Sequence, residues 1–311
     1  MEELPQAHNN RKALYLVGLL MVITIAGAFI PASWFGIKTN NDTTLDLTSV
    51  DTIDATPKDK TTNQPLTWKQ LTQQALNDQP ELLANLESAP VDNVAISQLN
   101  DENNLTASFS KNLYIASAYL KDSGTTDDQS QQNVIAELMA QEEAKMTVKT
   151  YTYKDLKVAK SEDQASIKAY GNAIASLLVD VMTIKSLNED LSSLDSYSKT
   201  KDGSTLVALK GDTRKVSELL KKMLAVSVPP SAVVYHLGAL NQVSIYSQML
   251  SDASTIETDP LRANLALKKY STIIAANVTM FANLADYFNI KNVVFTGKEA
   301  AYIFTVGYTP K

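Results

Sequence analysis

The chain contains no cysteine and only two histidines among its 311 residues. Without cysteine it can form no disulfide bridge, no thiolate metal site, no thiol nucleophile and no lipid anchor carried on a thiol. Two histidines are also too few for a histidine-rich metal centre, which needs three or four ligands. Acid–base chemistry would have to use carboxylates, lysine, tyrosine or one histidine. We therefore expect no metal and no cofactor.

Glycine and proline are scarce, with ten residues of each. Turn-rich β-sandwiches use more of both, so this scarcity favours long helices and argues against an all-β fold. Hydrophobic residues make up 44% of the chain, which is enough to build a core. The composition therefore predicts an all-α protein.

Positive charge is limited, because 28 Lys and Arg stand against 34 Asp and Glu and give a net charge of -6. The only arginines are Arg11, Arg214 and Arg262. A surface that follows phosphates needs clustered cations, so the composition argues against nucleic acid as a partner. The same acidic balance argues against adhesion to anionic lipid other than through an anchor.

One long apolar run is present near the N-terminus, where eighteen residues from Ala13 to Ile30 carry no charge. A helix needs about 20 apolar residues to cross the hydrocarbon core of a bilayer. The run therefore predicts a transmembrane anchor over residues 13–37. The lipid bilayer is then the first expected partner.

The flanks of this run predict its orientation. Arg11 and Lys12 precede it, which places residues 1–12 in the cytoplasm and the bulk of the chain outside. Trp34 and Phe35 would then lie at the outer interface. The alternative is a signal peptide cleaved near Ala28, which would give a secreted protein.

Three regions follow the anchor. Residues 38–64 are rich in Thr, Asp, Asn and Lys, which predicts a disordered, flexible stalk. Residues 65–150 read as an accessory region of short helices, and residues 151–311 as a bundle of long helices. The exported part is thus expected to be an extracytoplasmic antiparallel helical bundle on a stalk.

Apolar spacing in the accessory region predicts helices over residues 66–77, 81–87, 102–121 and 126–146, followed by an extended connector at 148–158. Their expected buried positions are Leu105, Phe109, Leu113, Ala116 and Leu120 on the third helix, and Val134, Leu138 and Met139 on the fourth.

The strongest pattern covers residues 162–194, where apolar side chains recur every three or four positions and predict one long, coiled-coil-like helix. A second helix is expected over 205–226, with Leu209, Val216, Leu220 and Met223 buried. Pro229-Pro230 and Asp259-Pro260 would start two more, since proline suits a first helical turn. The last of these reaches residue 289, and the following Val293, Val294 and Phe295 are expected to pack back onto the bundle.

Four polar or aromatic residues of this bundle form the candidate site, namely Tyr170, Asn172, His236 and Asn241. His236 lies in line with Leu240 and Val243, which predicts a hydrogen-bonded histidine in the core. Asn172, His236 and Asn241 could form one polar layer that fixes helix register. Alternatively the four residues line a pocket for a small ligand. Gly171 is expected where helices cross closely.

No assembled catalytic motif is present. The S-x-x-K pattern occurs at Ser108, Ser196 and Ser198, without the companion motifs of penicillin-binding enzymes. Adjacent carboxylates such as Glu142-Glu143 point about 100° apart on a helix, which favours a solvated face over a catalytic pair. The residues alone therefore predict a non-enzymatic protein.

A succession of aromatic, glycine, asparagine and proline positions runs through residues 151–306. It comprises Tyr151 to Leu156, Tyr170-Gly171-Asn172, Pro229-Pro230 with His236, Asn241, Asp259-Pro260 with Tyr270, and Tyr287-Phe288. This succession resembles a group of uncharacterised single-pass membrane-anchored helical proteins of candidate-phyla-radiation bacteria. The resemblance implies a cell-envelope setting, near type IV pilus or secretion components, and assigns no site residue.

These observations together predict a membrane-anchored envelope scaffold or protein-interaction module with an envelope protein as partner. A ligand-binding, sensor-like ectodomain is the first alternative, and a cell-wall enzyme is the second.

Overall fold

The computed structural model describes residues 101, 103–122, 128–182 and 187–306, together with Thr67, Gln70, Thr72, Gln73 and Asn77. The predicted anchor, the predicted stalk and the predicted helix at 81–87 lie outside these residues. The described part is overwhelmingly helical, which confirms the all-α prediction. Within it, no helix combines the length and apolar character that crossing a bilayer requires.

The chain divides into two compact units. The first unit contains the described residues up to Met146 and the segment Thr258–Asn264. Its main helices are α1 (Leu105–Asp122) and α2 (Asp128–Ala144). All eight of the apolar side chains predicted for their inner faces are buried.

Asp259 is the main polar anchor of the first unit. Its buried carboxylate accepts the backbone N–H groups of Leu105 at 2.8 Å and Thr106 at 2.9 Å, at the start of α1. It also accepts the backbone N–H of Arg262 at 3.3 Å, in the first turn of α7 (Pro260–Lys268). The prediction that Asp259 caps a helix starting at Pro260 is thus confirmed. One carboxylate satisfies the free amides of two helices.

The second unit comprises Thr147–Glu257 and the chain from Leu265 onward. Its regular elements are β1 (Lys157–Val158), α3 (Gln164–Met182), α4 (Leu187–Thr200), α5 (Val207–Ala225), β2 (Ser227–Val228), α6 (Val233–Ala253), α8 (Tyr270–Ile290) and α9 (Ile303–Val306). Short 3₁₀ turns lead into α5 and α6, at Gly203–Leu206 and Pro230–Ala232. The second of these turns begins at Pro230, where the Pro229-Pro230 pair predicted the start of a helix.

One predicted long helix is divided in the structure. The pattern over 162–194 covers α3 and α4, and residues 183–186 between them lie outside the described residues. The helix predicted to run from Pro260 to 289 is divided at Lys269, whose amide bonds to the carbonyl of Ala266 and tightens the turn. Apolar periodicity indicates which positions are buried. Two successive helices can keep the same apolar spacing although the chain is not helical between them.

Four helices of the second unit meet at one end. There α5 ends and α6 begins around β2, and β2 pairs in parallel with β1 just before α3. Ser231 Oγ lies 3.0 Å from Tyr287 Oη, which joins the start of α6 to the end of α8. Lys291 Nζ lies 3.0 Å from Glu162 Oε1. We call this region, residues 153–163, 221–235 and 289–294, the strand end.

The segment after α8 packs back on the unit through Val293 and Phe295, as predicted, whereas Val294 is 75% exposed. The Phe295 ring lies against Gly171 of α3 and makes an edge contact with Phe288, with ring centroids 5.2 Å apart. Gly171 therefore makes room for two aromatic rings, one from the helix α8 and a closer one from the C-terminal segment, which was not expected.

Replacing Gly171 with alanine should destabilise the protein by about 1–3 kcal/mol, because overpacking costs more than the gain in helix propensity. The new Cβ would lie 2.5 Å from Phe295 Cζ and 3.0 Å from Phe288 Cε1. Gly238 in α6 is the matched control, since nothing lies within 4 Å of the place that a new methyl group would take there. Gly238→Ala should stabilise by about 0.5–1 kcal/mol. Urea unfolding of the full chain in detergent, followed by circular dichroism at 222 nm, checks both; equal effects would contradict the aromatic contact.

Candidate functional site

The centre of the second unit holds a buried hydrogen-bonded chain that joins three helices. Tyr170 Oη on α3 lies 3.2 Å from His236 Nδ1 on α6. His236 Nε2 lies 3.1 Å from the backbone carbonyl oxygen of Met223 on α5. His236 is fully buried and Tyr170 nearly so. The prediction of a hydrogen-bonded core histidine is confirmed.

The partners of His236 determine its protonation. A carbonyl oxygen only accepts, so Nε2 must carry the proton that it donates to Met223. In a neutral imidazole the other nitrogen is then an acceptor, and the Tyr170 hydroxyl donates to Nδ1. The chain of bonds therefore runs in one direction, from Tyr170 through His236 to the Met223 carbonyl.

Burial keeps both side chains uncharged. It lowers the pKa of His236 to about 4, against a weaker opposing effect of the bond to Met223. It also raises the pKa of Tyr170 far above its ordinary value. At neutral pH the imidazole is neutral and the phenol keeps its proton. Such a pair holds helices together and offers no charged group to a substrate.

An aromatic cluster surrounds this chain, which the sequence interpretation missed. The Tyr170 ring centroid lies 5.9 Å from that of Phe288 and 6.4 Å from that of Tyr287. Tyr235 of α6 lies 5.0 Å from Tyr287 by the same measure. The adjacent pair Tyr287-Phe288 late in α8 was the available signal, because two neighbouring rings on one helical turn can both reach the same core.

Asn172 lies two residues after Tyr170, on a different side of α3. Its Nδ2 donates to Glu299 Oε1 at 3.1 Å, and its Oδ1 accepts the backbone N–H of Ala301 at 3.1 Å. Glu299 is also bonded by the Thr296 amide and by Lys168, and these contacts hold its pKa at about 2. Asn172 therefore attaches the C-terminal segment to α3.

Asn241 attaches a different segment. Its Oδ1 accepts the backbone N–H of Tyr151 at 2.7 Å, and its Nδ2 donates to the carbonyl of the same residue at 3.1 Å. One turn on, Ser244 Oγ donates to the carbonyl of Lys149 at 2.7 Å. The structure thus brings Tyr170 and His236 together, and it places Asn172 and Asn241 at two other points with partners of their own.

Two of the S-x-x-K serines, Ser108 and Ser198, bond to groups other than the lysines of their motifs. Ser108 Oγ donates to Glu142 Oε1 at 2.8 Å and accepts from Lys145 Nζ at 2.8 Å, not from Lys111. Ser198 Oγ donates to the carbonyl of Asp195. Glu142 was expected on a solvated face, but it is 1% exposed and paired with Lys145 at 2.7 Å. This cluster joins α1 to α2.

An open depression of about 440 Å³ lies beside the C-terminal segment, lined by Ser176, Val179, Gly297, Glu299, Ala300, Tyr302 and Ile303. None of the four predicted site residues lines it. Within the described ranges, no group of three or more His, Asp or Glu side chains is arranged to hold a metal ion. The predicted interface residues Arg11, Lys12, Trp34 and Phe35 lie outside the described residues.

No family model, curated protein or solved structure matches the chain. The roles of the four residues therefore follow from their contacts alone. In each case the polar atoms bond to backbone or side-chain groups of the second unit itself.

The buried His236 should make stability fall as the pH drops from 6.5 towards 4, because the unfolded chain binds a proton that the folded chain rejects. The loss by pH 4 is about 3 kcal/mol for this one group. Carboxylates whose pKa is lowered in the folded protein, such as Glu299, also contribute to stability. Glu299 loses this contribution only below about pH 4.5, because 4.5 is the pKa of a glutamate in the unfolded chain. Thermal unfolding at half-unit pH steps gives the profile.

His236→Gln should be less stable at pH 7 and should show a flat profile between pH 6.5 and 4.5. His8→Gln is the matched control, because His8 is the only other histidine of the chain. It should keep the wild-type slope. A slope that survives His236→Gln would show that His236 is not the buried neutral group.

Proposed function

We propose that the protein is a non-enzymatic, membrane-anchored scaffold or protein-interaction module of the bacterial cell envelope. Residues 13–37 anchor it in the cytoplasmic membrane with residues 1–12 inside, and residues 38–64 form the stalk of the exported part. Tethering of this kind raises the local concentration of the bundle near other membrane proteins. The alternative, cleavage near Ala28 and secretion, leaves the role of the bundle unchanged.

The observation that carries the proposal is an exposed face on α8 that has a single charged residue. The exposed side chains along this helix are Ser271, Thr272, Ala275, Val278, Thr279, Asn283, Asn289 and Ile290. Asp286 is the only charged residue among the 21 of the helix, and it lies on this face, between Asn283 and Ile290. Val278, near the middle, is 66% exposed.

A solvated helix face is normally charged, as on α5, which carries lysines, Arg214 and Glu218 on its outer side. The centre of a protein–protein interface is instead depleted of charge, because burying an unpaired charge is costly. Small side chains also allow a second helix to approach closely. The outer face of α8 therefore has the properties of a surface that a partner protein covers.

The ligand-binding alternative has less support. Tyr170, His236, Asn172 and Asn241 would have to present free polar atoms to a ligand. Both nitrogens of His236 and both amide atoms of each asparagine are instead occupied within the second unit. The serine version of the cell-wall enzyme has a similar difficulty, because the Ser108 hydroxyl donates to Glu142 and lies between α1 and α2.

The resemblance of residues 151–306 extends the proposal to a type IV pilus or type IV secretion apparatus as the assembly that the protein serves. Such assemblies are built around membrane proteins, and an anchored helical module of this kind would contact a partner within reach of the stalk.

Val278→Lys should abolish partner recovery, because a lysine in the centre of the interface would be buried without a counter-charge. The full-length protein would be cross-linked in its own cells, extracted in detergent, and the recovered proteins quantified by mass spectrometry. Val207→Lys is the matched control, since Val207 is 64% exposed at the start of α5. Both variants should keep the wild-type helix content.

A protein recovered with wild type and Val207→Lys, and reduced at least about tenfold with Val278→Lys, would identify the partner. Equal recovery with both variants would contradict the assignment of the interface to α8. Recovery of further copies of the same chain would identify self-association as the interaction.

A further inference from the structure

The strand end of the second unit is basic although the whole chain is acidic. Five exposed lysines lie there, namely Lys154, Lys157, Lys160, Lys221 and Lys222. None of the five has a carboxylate partner among the residues that the structure describes. With Lys291, lysines outnumber carboxylates by six to three in residues 153–163, 221–235 and 289–294.

The three carboxylates of the strand end are engaged locally. Asp155 accepts from the backbone and hydroxyl of Thr152, at 2.7 and 2.9 Å. Asp163 accepts the backbone N–H of Ser166 at 2.7 Å and so caps α3. Glu162 pairs with Lys291. Asp155 and Asp163 stay ionised, because these hydrogen bonds lower the pKa of each carboxyl. With six lysines against three carboxylates, the strand end carries a net charge of +3.

Large apolar side chains are exposed at the same end. Val234 is 77% exposed, Val294 75% and Ile290 69%. Tyr153, next to Lys154, is 60% exposed. Four of the exposed large hydrophobic side chains thus lie at the one place in the described part of the unit where unpaired lysines cluster.

We propose that the strand end docks on the surface of an anionic phospholipid bilayer. Apolar side chains that reach the interfacial region and lysines that stay among the phosphates form the usual combination at such a surface. Net charge is an average over the chain, whereas attraction to a charged surface is felt within a Debye length of about 8 Å. The acidic total therefore does not oppose docking by this end.

Docking by the strand end is tested separately from the α8 face: Ile290 belongs to both regions, but none of the residues substituted below lies on α8. It is also separable from the predicted anchor, because an anchor inserts into any bilayer, whereas docking requires anionic lipid. An acidic protein surface is the competing occupant, and the lipid dependence below distinguishes it.

The absence of cysteine makes a site-specific test direct. A single cysteine is introduced by Val294→Cys and labelled with an environment-sensitive fluorophore. Val207→Cys is the control, since Val207 starts α5 at the opposite end of the helix from Lys221 and Lys222. The full chain is reconstituted in vesicles of phosphatidylcholine, either alone or with about 30% phosphatidylglycerol, that also carry a doxyl quencher near the headgroups.

Quenching should occur at Val294→Cys in anionic vesicles, be weak in neutral vesicles, and be lost in 1 M salt, where the Debye length is about 3 Å. It should stay low at Val207→Cys in all conditions.

Replacing Lys157, Lys221 and Lys222 with glutamine should lower the ratio of docked to undocked protein at least about tenfold, since each lysine near an anionic surface contributes about fivefold. The same change at Lys199, Lys201 and Lys210 should have little effect.

Flotation of the vesicles separates the possible outcomes. If the protein floats with both kinds of vesicle but quenching is absent, or equal at the two labelled positions, docking is overturned and the anchor is supported. Flotation only on anionic vesicles, with quenching at Val294→Cys, would support docking and contradict the anchor. Failure to float on either vesicle would overturn both. Insensitivity of the quenching to phosphatidylglycerol would also overturn docking on anionic lipid.

Discussion

A neutral imidazole that bonds through both ring nitrogens holds the second unit together. His236 of α6 accepts from Tyr170 of α3 and donates to the carbonyl of Met223 on α5, so three helices share one side chain. The bond orients the Tyr170 ring against Phe288. Gly171, the next residue along, then admits the ring of Phe295. The position of the C-terminal segment thus depends on the same buried group.

The other polar side chains of the described core act in the same manner. Asn241 holds the segment at Tyr151, Asn172 holds the segment at Ala301, and Asp259 satisfies the first amides of α1. Each one bonds to backbone that no regular helix or sheet satisfies, and an unsatisfied buried amide would be costly. These side chains bond to groups of the protein itself, so the proposed interactions use its surface, where the α8 face with its single charge and the basic strand end differ from the rest.

Much of the fold follows from local sequence signals. The inner faces of α1 and α2, the start at Pro229-Pro230 and the cap at Asp259 are set by side-chain spacing and first-turn chemistry, and the structure has them as predicted. The division at Lys269 was not predictable from periodicity, because side chains on two successive helices can keep the same apolar spacing. The partners of Asn172 and Asn241 lie 90 or more residues away, and no local signal specifies them. Glu142 is buried because its partners on α1 and α2 are tertiary. The net charge of the whole chain does not reveal the local positive charge of the strand end.

The connection of three helices requires that His236 be neutral, with its proton on Nε2. A long-range ¹H–¹⁵N correlation spectrum of the full chain at pH 7, assigned with the His8→Gln variant, reports the state of each imidazole nitrogen directly. We expect a neutral His236 with a protonated Nε2 and an unprotonated, hydrogen-bonded Nδ1. A charged imidazolium, or a neutral ring protonated on Nδ1, would contradict it, because the Met223 carbonyl would then face no donor or the core would hold a charge.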